Sequence, residues 1–132
     1  MREETRFDII KKSSDGSRSG KAGHIAAGGV LSDQNRRWIK GFAVSKRYRS
    51  TVKAELRAIL EGLFMTWDVG FRRVQVDSDS LEAVALINGE CNDNNPLLHL
   101  VHRCRSLMNR NWPCVLEHVF RKSNCVADCL AR

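Results

Sequence analysis

Glu55 falls between Val52, Leu56 and Ile59 on the apolar stripe of a segment with helical spacing. An unpaired carboxylate on that face carries a heavy desolvation cost, so Glu55 calls for a cation partner. Asp79 directly follows a run that reads as a core strand, and the carboxyl ends of such strands open toward the ligand-binding edge of an α/β sheet. Asp128 lies inside a helical segment beside Val126 and Cys129, where an acid gains nothing from propensity or capping. Asp15 precedes Gly16. Taken singly, turn chemistry accounts for Asp15 and helix capping, completed by Glu82, accounts for Asp79. Taken together, the four carboxylates share one explanation. A hard cation such as Mg²⁺ prefers carboxylate oxygens, and two ions about 4 Å apart can hold both the attacking and the leaving oxygen of a phosphoryl displacement.

These residues need elements to position them. Residues 6–14 read as a short strand running into the turn Asp15-Gly16-Ser17. Residues 23–31 and 37–44 flank Ser32-Asp33-Gln34-Asn35 and form a hairpin, with Gly28 and Gly29 marking a close backbone approach or a bulge. Ser50-Thr51 caps a helix that buries Val52, Leu56, Ile59, Leu60, Leu63, Phe64 and Trp67 and ends near Gly70. Residues 72–77 alternate as a strand, and Asp79-Ser80-Leu81-Glu82 opens a helix through about Asn88. After the loop Asn88–Asn95, Pro96 starts a helix reaching Met108, residues 112–120 form a last strand, and Ser123 or Asn124 caps a last helix carrying Val126, Cys129 and Leu130. The order β-β-β-α-β-α-α-β-α predicts an α/β fold, a mixed sheet with an antiparallel edge. Residues 1–5 are expected as a tail and 6–132 as a single domain.

With 132 residues and 42% apolar content, the chain can bury a core, which argues against disorder and metal-dependent folding. No apolar run is long enough for a membrane span, and Met1–Lys12 mixes acids and bases unlike an export signal. The five cysteines are odd in number and contain no CxxC pair, as expected of an intracellular, reducing compartment. Cys125 and Cys129 have a spacing that could chelate a metal on a helix, but free cysteines more often act as small buried apolar residues. His24, His99 and His102 take structural or solvated roles, and neither a Ser-His-Asp order nor a phosphate-cradling loop is present.

The net charge is +7, and it resides entirely in the first half: residues 1–66 hold 14 bases and 7 acids, residues 67–132 hold 8 of each. Arg36, Arg37, Lys40, Lys46, Arg47, Arg49, Lys53 and Arg57 surround Glu55 with Trp38, Phe42 and Tyr48 interleaved. Such a stretch either lines a phosphate backbone or forms a solvated face.

The motifs Asp15-Gly16-Ser17, Gly28-Gly29-Val30-Leu31 with Trp38-Ile39-Lys40-Gly41-Phe42, Ala54-Glu55-Leu56-Arg57-Ala58-Ile59, Val76-Asp77-Ser78-Asp79-Ser80 and Asn124-Cys125-Val126-Ala127-Asp128-Cys129-Leu130-Ala131 follow one another across the chain. In this order they resemble the ribonuclease H domain, in the plant-type form associated with non-long-terminal-repeat retroelement reverse transcriptases. The resemblance implies a five-stranded mixed sheet, strands one to three antiparallel. It also implies that Asp15, Glu55, Asp79 and Asp128 are catalytic and bind two Mg²⁺ ions, for which Mn²⁺ can substitute. Asp77 competes for the third position, a register that would leave Asp79 as a helix cap. The implied partner is an RNA:DNA hybrid, read through its 2′-hydroxyls, with Gly16, Ser17, Arg47, Arg49, Thr51, Ser80, Arg121 and Asn124 as contacts. A monomer is implied, with no membrane partner and with a reverse transcriptase domain upstream in the parent element.

Several positions depart from the bacterial members of that family. Thr51 and Leu81 stand where those enzymes place an Asn and a Gln, and Arg121-Lys122-Ser123 lacks their histidine, with His118 upstream on the strand. The loop Asn88–Asn95 has no basic protrusion, for which Arg103, Arg105 and Arg110 are expected to substitute in part. These changes keep open a second reading, a weak or inactive nucleic-acid-binding module derived from a retroelement.

Overall fold

The computed structural model describes residues 4–13 and 24–120. Strand β1 (Thr5–Ser13) begins one residue earlier than the sequence suggests, because Thr5 is buried and its hydroxyl donates to the Arg73 carbonyl at 2.8 Å. Phe7 and Ile9 are buried on the same side of the strand, and the period of two carries Lys11 onto that inward face.

Strands β2 (Ile25–Ser32) and β3 (Trp38–Ala43) form the expected hairpin. Its turn is held by Asp33 Oδ1, which accepts from the amides of Asn35 and Arg37 at 2.8 and 2.9 Å. Gly28 and Gly29 mark a close approach: a Cβ would come within 2.4 Å of the Phe42 carbonyl oxygen at Gly28 and within 2.6 Å of the Phe42 ring at Gly29. The register irregularity lies elsewhere, between Leu31 and Ser32.

Helix α1 (Thr51–Val69) is capped by Ser50, whose side chain accepts from the Lys53 amide, and it closes on Gly70 at φ 110°. Its buried face is broader than one stripe. Ala54, Ala58, Gly62 and Thr66 are buried along with Leu56, Ile59, Leu60 and Leu63, whereas Val52, Phe64 and Trp67 lie at its margin. Small residues let the helix sit close to the sheet, Gly62 directly over the Phe7 ring.

Strand β4 (Val74–Ser78), helix α2 (Leu81–Asn88), helix α3 (Leu98–Met108) and strand β5 (Cys114–His118) complete the described elements. Helix α3 starts two residues after Pro96, because Asn95 Oδ1 accepts from the Leu97 amide at 2.8 Å and prolongs the turn. Strand β5 is shorter than residues 112–120. Trp112 is buried ahead of it, its indole N–H donating to the Leu107 carbonyl at 2.8 Å and its ring edge on Trp67. The expected Asp15-Gly16-Ser17 turn and the last helix lie outside the described residues.

The sheet order is β3-β2-β1-β4-β5. β1, β2 and β3 pair antiparallel, while β4 runs parallel to both β1 and β5. Phe7, Leu31, Leu56, Ile59, Leu60, Leu63, Val76, Val101 and Cys104 are almost wholly enclosed. Among the described residues, no helix is long and apolar enough to cross a membrane.

Burial pushes the thiols of Cys104 and Cys114 up to about 12. Thiolate is therefore scarce at pH 8, and iodoacetamide should modify Cys104 about a thousandfold more slowly in the native protein than in urea. Mass spectrometry of labelled peptides would check this, and equal rates in the two states would contradict it.

Candidate metal and nucleic-acid site

Because β1 and β4 are parallel, the ends of both strands arrive at one edge of the sheet. Ser78 is the last residue of β4, Asp79 follows it, and Lys11 lies late in β1. Glu55, in the second turn of α1, faces the same edge and is fully buried. The carboxylate singled out by its place on an apolar stripe therefore has the cation partner it requires. Lys11 Nζ lies 3.2 Å from Glu55 Oε2 and 3.1 Å from Asp79 Oδ1.

The other oxygen of Glu55 is held by a relay. The Ser80 amide donates to Ser78 Oγ at 3.1 Å, and the Ser78 hydroxyl donates to Glu55 Oε1 at 2.5 Å. Ser80 Oγ in turn accepts from the Ala83 amide at 3.2 Å. Ser80 is thus the N-cap of α2, which frees Asp79 from the capping role that its sequence position suggested. Glu55 Oε2, although beside Lys11, completes no hydrogen bond. Burial raises the Glu55 carboxyl, against the lowering effects of the Ser78 hydroxyl and the Lys11 ammonium. Burial also works against the charge on Lys11, but the two carboxylates outweigh it and hold the ammonium above its ordinary value.

Asp77 belongs to a different environment. It accepts from Gln75 Nε2 at 3.0 Å and pairs with Arg6 at 3.4 Å. Asp79, not Asp77, is the carboxylate brought to Glu55. Asp15 and Asp128, together with Gly16, Ser17, Arg121 and Asn124, lie outside the described residues. Among the described residues, no three His, Cys, Asp or Glu side chains converge. The donor chemistry of Glu55 and Asp79 nevertheless suits a hard cation: two carboxylate oxygens, one of them on a fully buried side chain, converge on a single positive charge.

Arg47 and Arg49 are exposed in the segment that leads from β3 into α1, and Thr51 is exposed at the first position of that helix. Between the two arginines, Tyr48 is buried, and its backbone exchanges hydrogen bonds with Ile25 at 2.6 and 3.0 Å. Lys46 and Lys53 lie over its ring, 5.7 and 5.8 Å from the centroid. The basic stretch is thereby pinned to the sheet at the end of α1 that carries Glu55. Arg105 and Arg110 are engaged otherwise than expected. Arg105 donates to the carbonyls of Leu86, Ile87 and Gly89 at the end of α2, and Arg110 lies beyond α3, over the Trp67 ring.

Sequence reasoning overlooked Lys11 and Ser78. Both signals were present, since Lys11 continues the inward set Phe7, Ile9 and Ser78 continues Val74, Val76. A polar residue in such a series deserves the scrutiny given to Glu55.

A family model described as reverse transcriptase-like matches residues 13–132, nearly the whole chain. The chain belongs to the reverse transcriptase-like family. An Arabidopsis thaliana protein named as a candidate ribonuclease H is 34% identical over 122 residues, which cover 92% of this chain and 20% of that protein. The chain thus spans about a fifth of that curated relative. Among solved structures, RNase H1 from the archaeon Halobacterium salinarum has a TM-score of 0.72 at 26% identity, covering 98% of this chain and 94% of that one. LC11-RNase H1 in complex with an RNA/DNA hybrid has a TM-score of 0.74 at 20% identity, covering 96% and 92%. The five-stranded mixed sheet of this reverse transcriptase-like chain is therefore the ribonuclease H-like fold.

Proposed function

We propose that this domain is a divalent-metal-dependent endonuclease that hydrolyses the RNA strand of RNA:DNA hybrids. The observation that carries the proposal is the convergence of Glu55 and Asp79 at the carboxyl edge of β1 and β4, beside an anchored basic segment. Membership of the family and likeness to the ribonuclease H structures support it.

Glu55 and Asp79 would hold the metal, with Asp15 and Asp128 as the further ligands that the sequence motifs suggest. Bound Mg²⁺ ions would supply a water of lowered pKa and stabilise the leaving 3′ oxygen. The chain's own residues prepare that site. Ser78 directs its single hydroxyl proton to Glu55 Oε1, fixing the carboxylate plane, while Oε2, now facing Lys11 Nζ, would be the oxygen offered to a metal ion. Arg47 and Arg49 would contact the phosphate backbone and set the position of the hybrid without reading its sequence.

End-labelled hybrid incubated with Mg²⁺ should yield short RNA fragments with 5′ phosphates, while duplex DNA survives. Inertness of the wild type in both Mg²⁺ and Mn²⁺ would overturn the proposal. A second reading, a module that grips hybrids without cutting them, is favoured by one observation: an ammonium stands between the two carboxylates. Tight binding of hybrid with no turnover would select it.

A further inference from the structure

We propose that Lys11 is a tethered counter-cation at the point where Glu55 and Asp79 would share a divalent ion, so that metal enters only by displacing its ammonium. The proposal rests on reading these two carboxylates as cation ligands. Lys11 Nζ stands 3.2 Å from Glu55 Oε2 and 3.1 Å from Asp79 Oδ1, bridging oxygens from two elements. A Mg²⁺ or Mn²⁺ ion bound to the same oxygens at about 2.1 Å needs essentially the same volume. An ammonium and a divalent ion cannot share it, since their repulsion is strong where water is scarce, and the side chains here are 18% exposed at Lys11 and 0% at Glu55.

The geometry also fixes how the ammonium could leave. The Lys11 backbone is held in β1 opposite Ala27 of β2, so only the flexible stem can carry the charge away. Of the ammonium's two partners, Asp79 is the more accessible, its side chain 39% exposed against 0% for Glu55. Two consequences follow. Without metal, Lys11 relieves the repulsion between Glu55 and Asp79. With metal, the ion must first break both ion pairs, which weakens its apparent affinity.

The test is Mn²⁺ titration of the full chain by calorimetry, with thermal midpoints measured in chelator and in Mn²⁺. The proteins are wild type, Lys11→Met, Lys11→Arg and the double variant Lys11→Met/Glu55→Gln. Lys11→Met, which keeps the stem and loses the charge, should bind Mn²⁺ about tenfold or more tightly than wild type and show the larger Mn²⁺-induced rise in midpoint. Lys11→Arg should gain nothing, and adding Glu55→Gln should abolish the gain. If Lys11→Met unfolds in chelator, Mn²⁺ should refold it. Equal affinities and shifts in wild type and Lys11→Met, a gain that survives Glu55→Gln, or an unfolded variant that Mn²⁺ fails to rescue would each overturn the proposal. Hybrid cleavage is scored separately: an affinity gain in a protein that cuts nothing removes the nuclease reading and leaves this one standing.

Discussion

Glu55→Gln is expected to slow hybrid hydrolysis about a thousandfold while changing the unfolding free energy by no more than about 1 kcal/mol. The two effects separate because they depend on different properties of the side chain. Gln keeps the volume of Glu and an amide oxygen to accept from Ser78, so the Ser80–Ser78–residue 55 relay survives. It also removes a fully buried charge that now carries a desolvation cost. With its oxygen on Ser78, the Gln amide nitrogen would face Lys11 Nζ, donor against donor, a cost that the relieved desolvation offsets as the flexible Lys11 stem turns to its remaining partner, Asp79. What Gln cannot do is neutralise a divalent cation. Glu55→Leu should behave differently, because it leaves the buried Ser78 hydroxyl without an acceptor, and a loss of about 1–3 kcal/mol is expected. Single-turnover cleavage and urea unfolding on the same preparations would check both statements. Activity of Glu55→Gln within tenfold of wild type would remove Glu55 from the site.

Gly62→Ala should cost about 3 kcal/mol, a large part of the total stability of a domain this size. On propensity alone the change favours the helix by about 1 kcal/mol. Packing decides the sign. The new Cβ would lie 1.4 Å from Phe7 Cε2, and Phe7 has nowhere to retreat: it is fully buried, with the Phe42 ring centroid 5.6 Å from its own. Either α1 lifts from the sheet or the Phe7 ring leaves its rotamer. A matching reduction, Phe7→Leu, should recover part of the loss in the double variant, and the coupling between the two positions can be read from urea midpoints. Full additivity would show that helix and strand do not press on each other at this point.

The elements most legible in the sequence are those whose periodicity is undiluted. The hairpin turn at Asp33, the helix from Thr51 to Gly70 and the strand at Val74–Val76 all lie within a few residues of their expected places. Glu55 was legible because one charge on an apolar stripe violates a simple rule. Lys11 was passed over because a strand ending in Lys-Lys-Ser-Ser reads as a polar terminus, although its alternation with Phe7 and Ile9 already sets it on the inward face, which the pairing with β2 carries on to Ser13. Asp79 could be read as a cap or as a site residue; the Ala83 amide donates to Ser80 Oγ, which gives the cap to Ser80 and leaves the Asp79 carboxylate beside Lys11. Arg105 shows the opposite failure: a base expected to meet an external anion instead satisfies carbonyls left open by a neighbouring helix. The contact of Gly62 with Phe7 joins distant residues and has no local signature.

The parallel pairing of β1 with β4 also bears on how the chain reaches its native state. Thr5 is tied to Arg73, 68 residues along the chain, so β1 must await a partner made much later, and such non-local pairing is intrinsically slow. Until β4 arrives, β1 presents a free edge to neighbouring molecules. An inward-pointing charge on an unpaired strand deters edge-to-edge association, and Lys11 supplies one. Replacing Lys11 by an apolar residue is therefore expected to lower the soluble fraction on expression relative to wild type, and an unchanged fraction would deny its charge any part in keeping this strand from its neighbours.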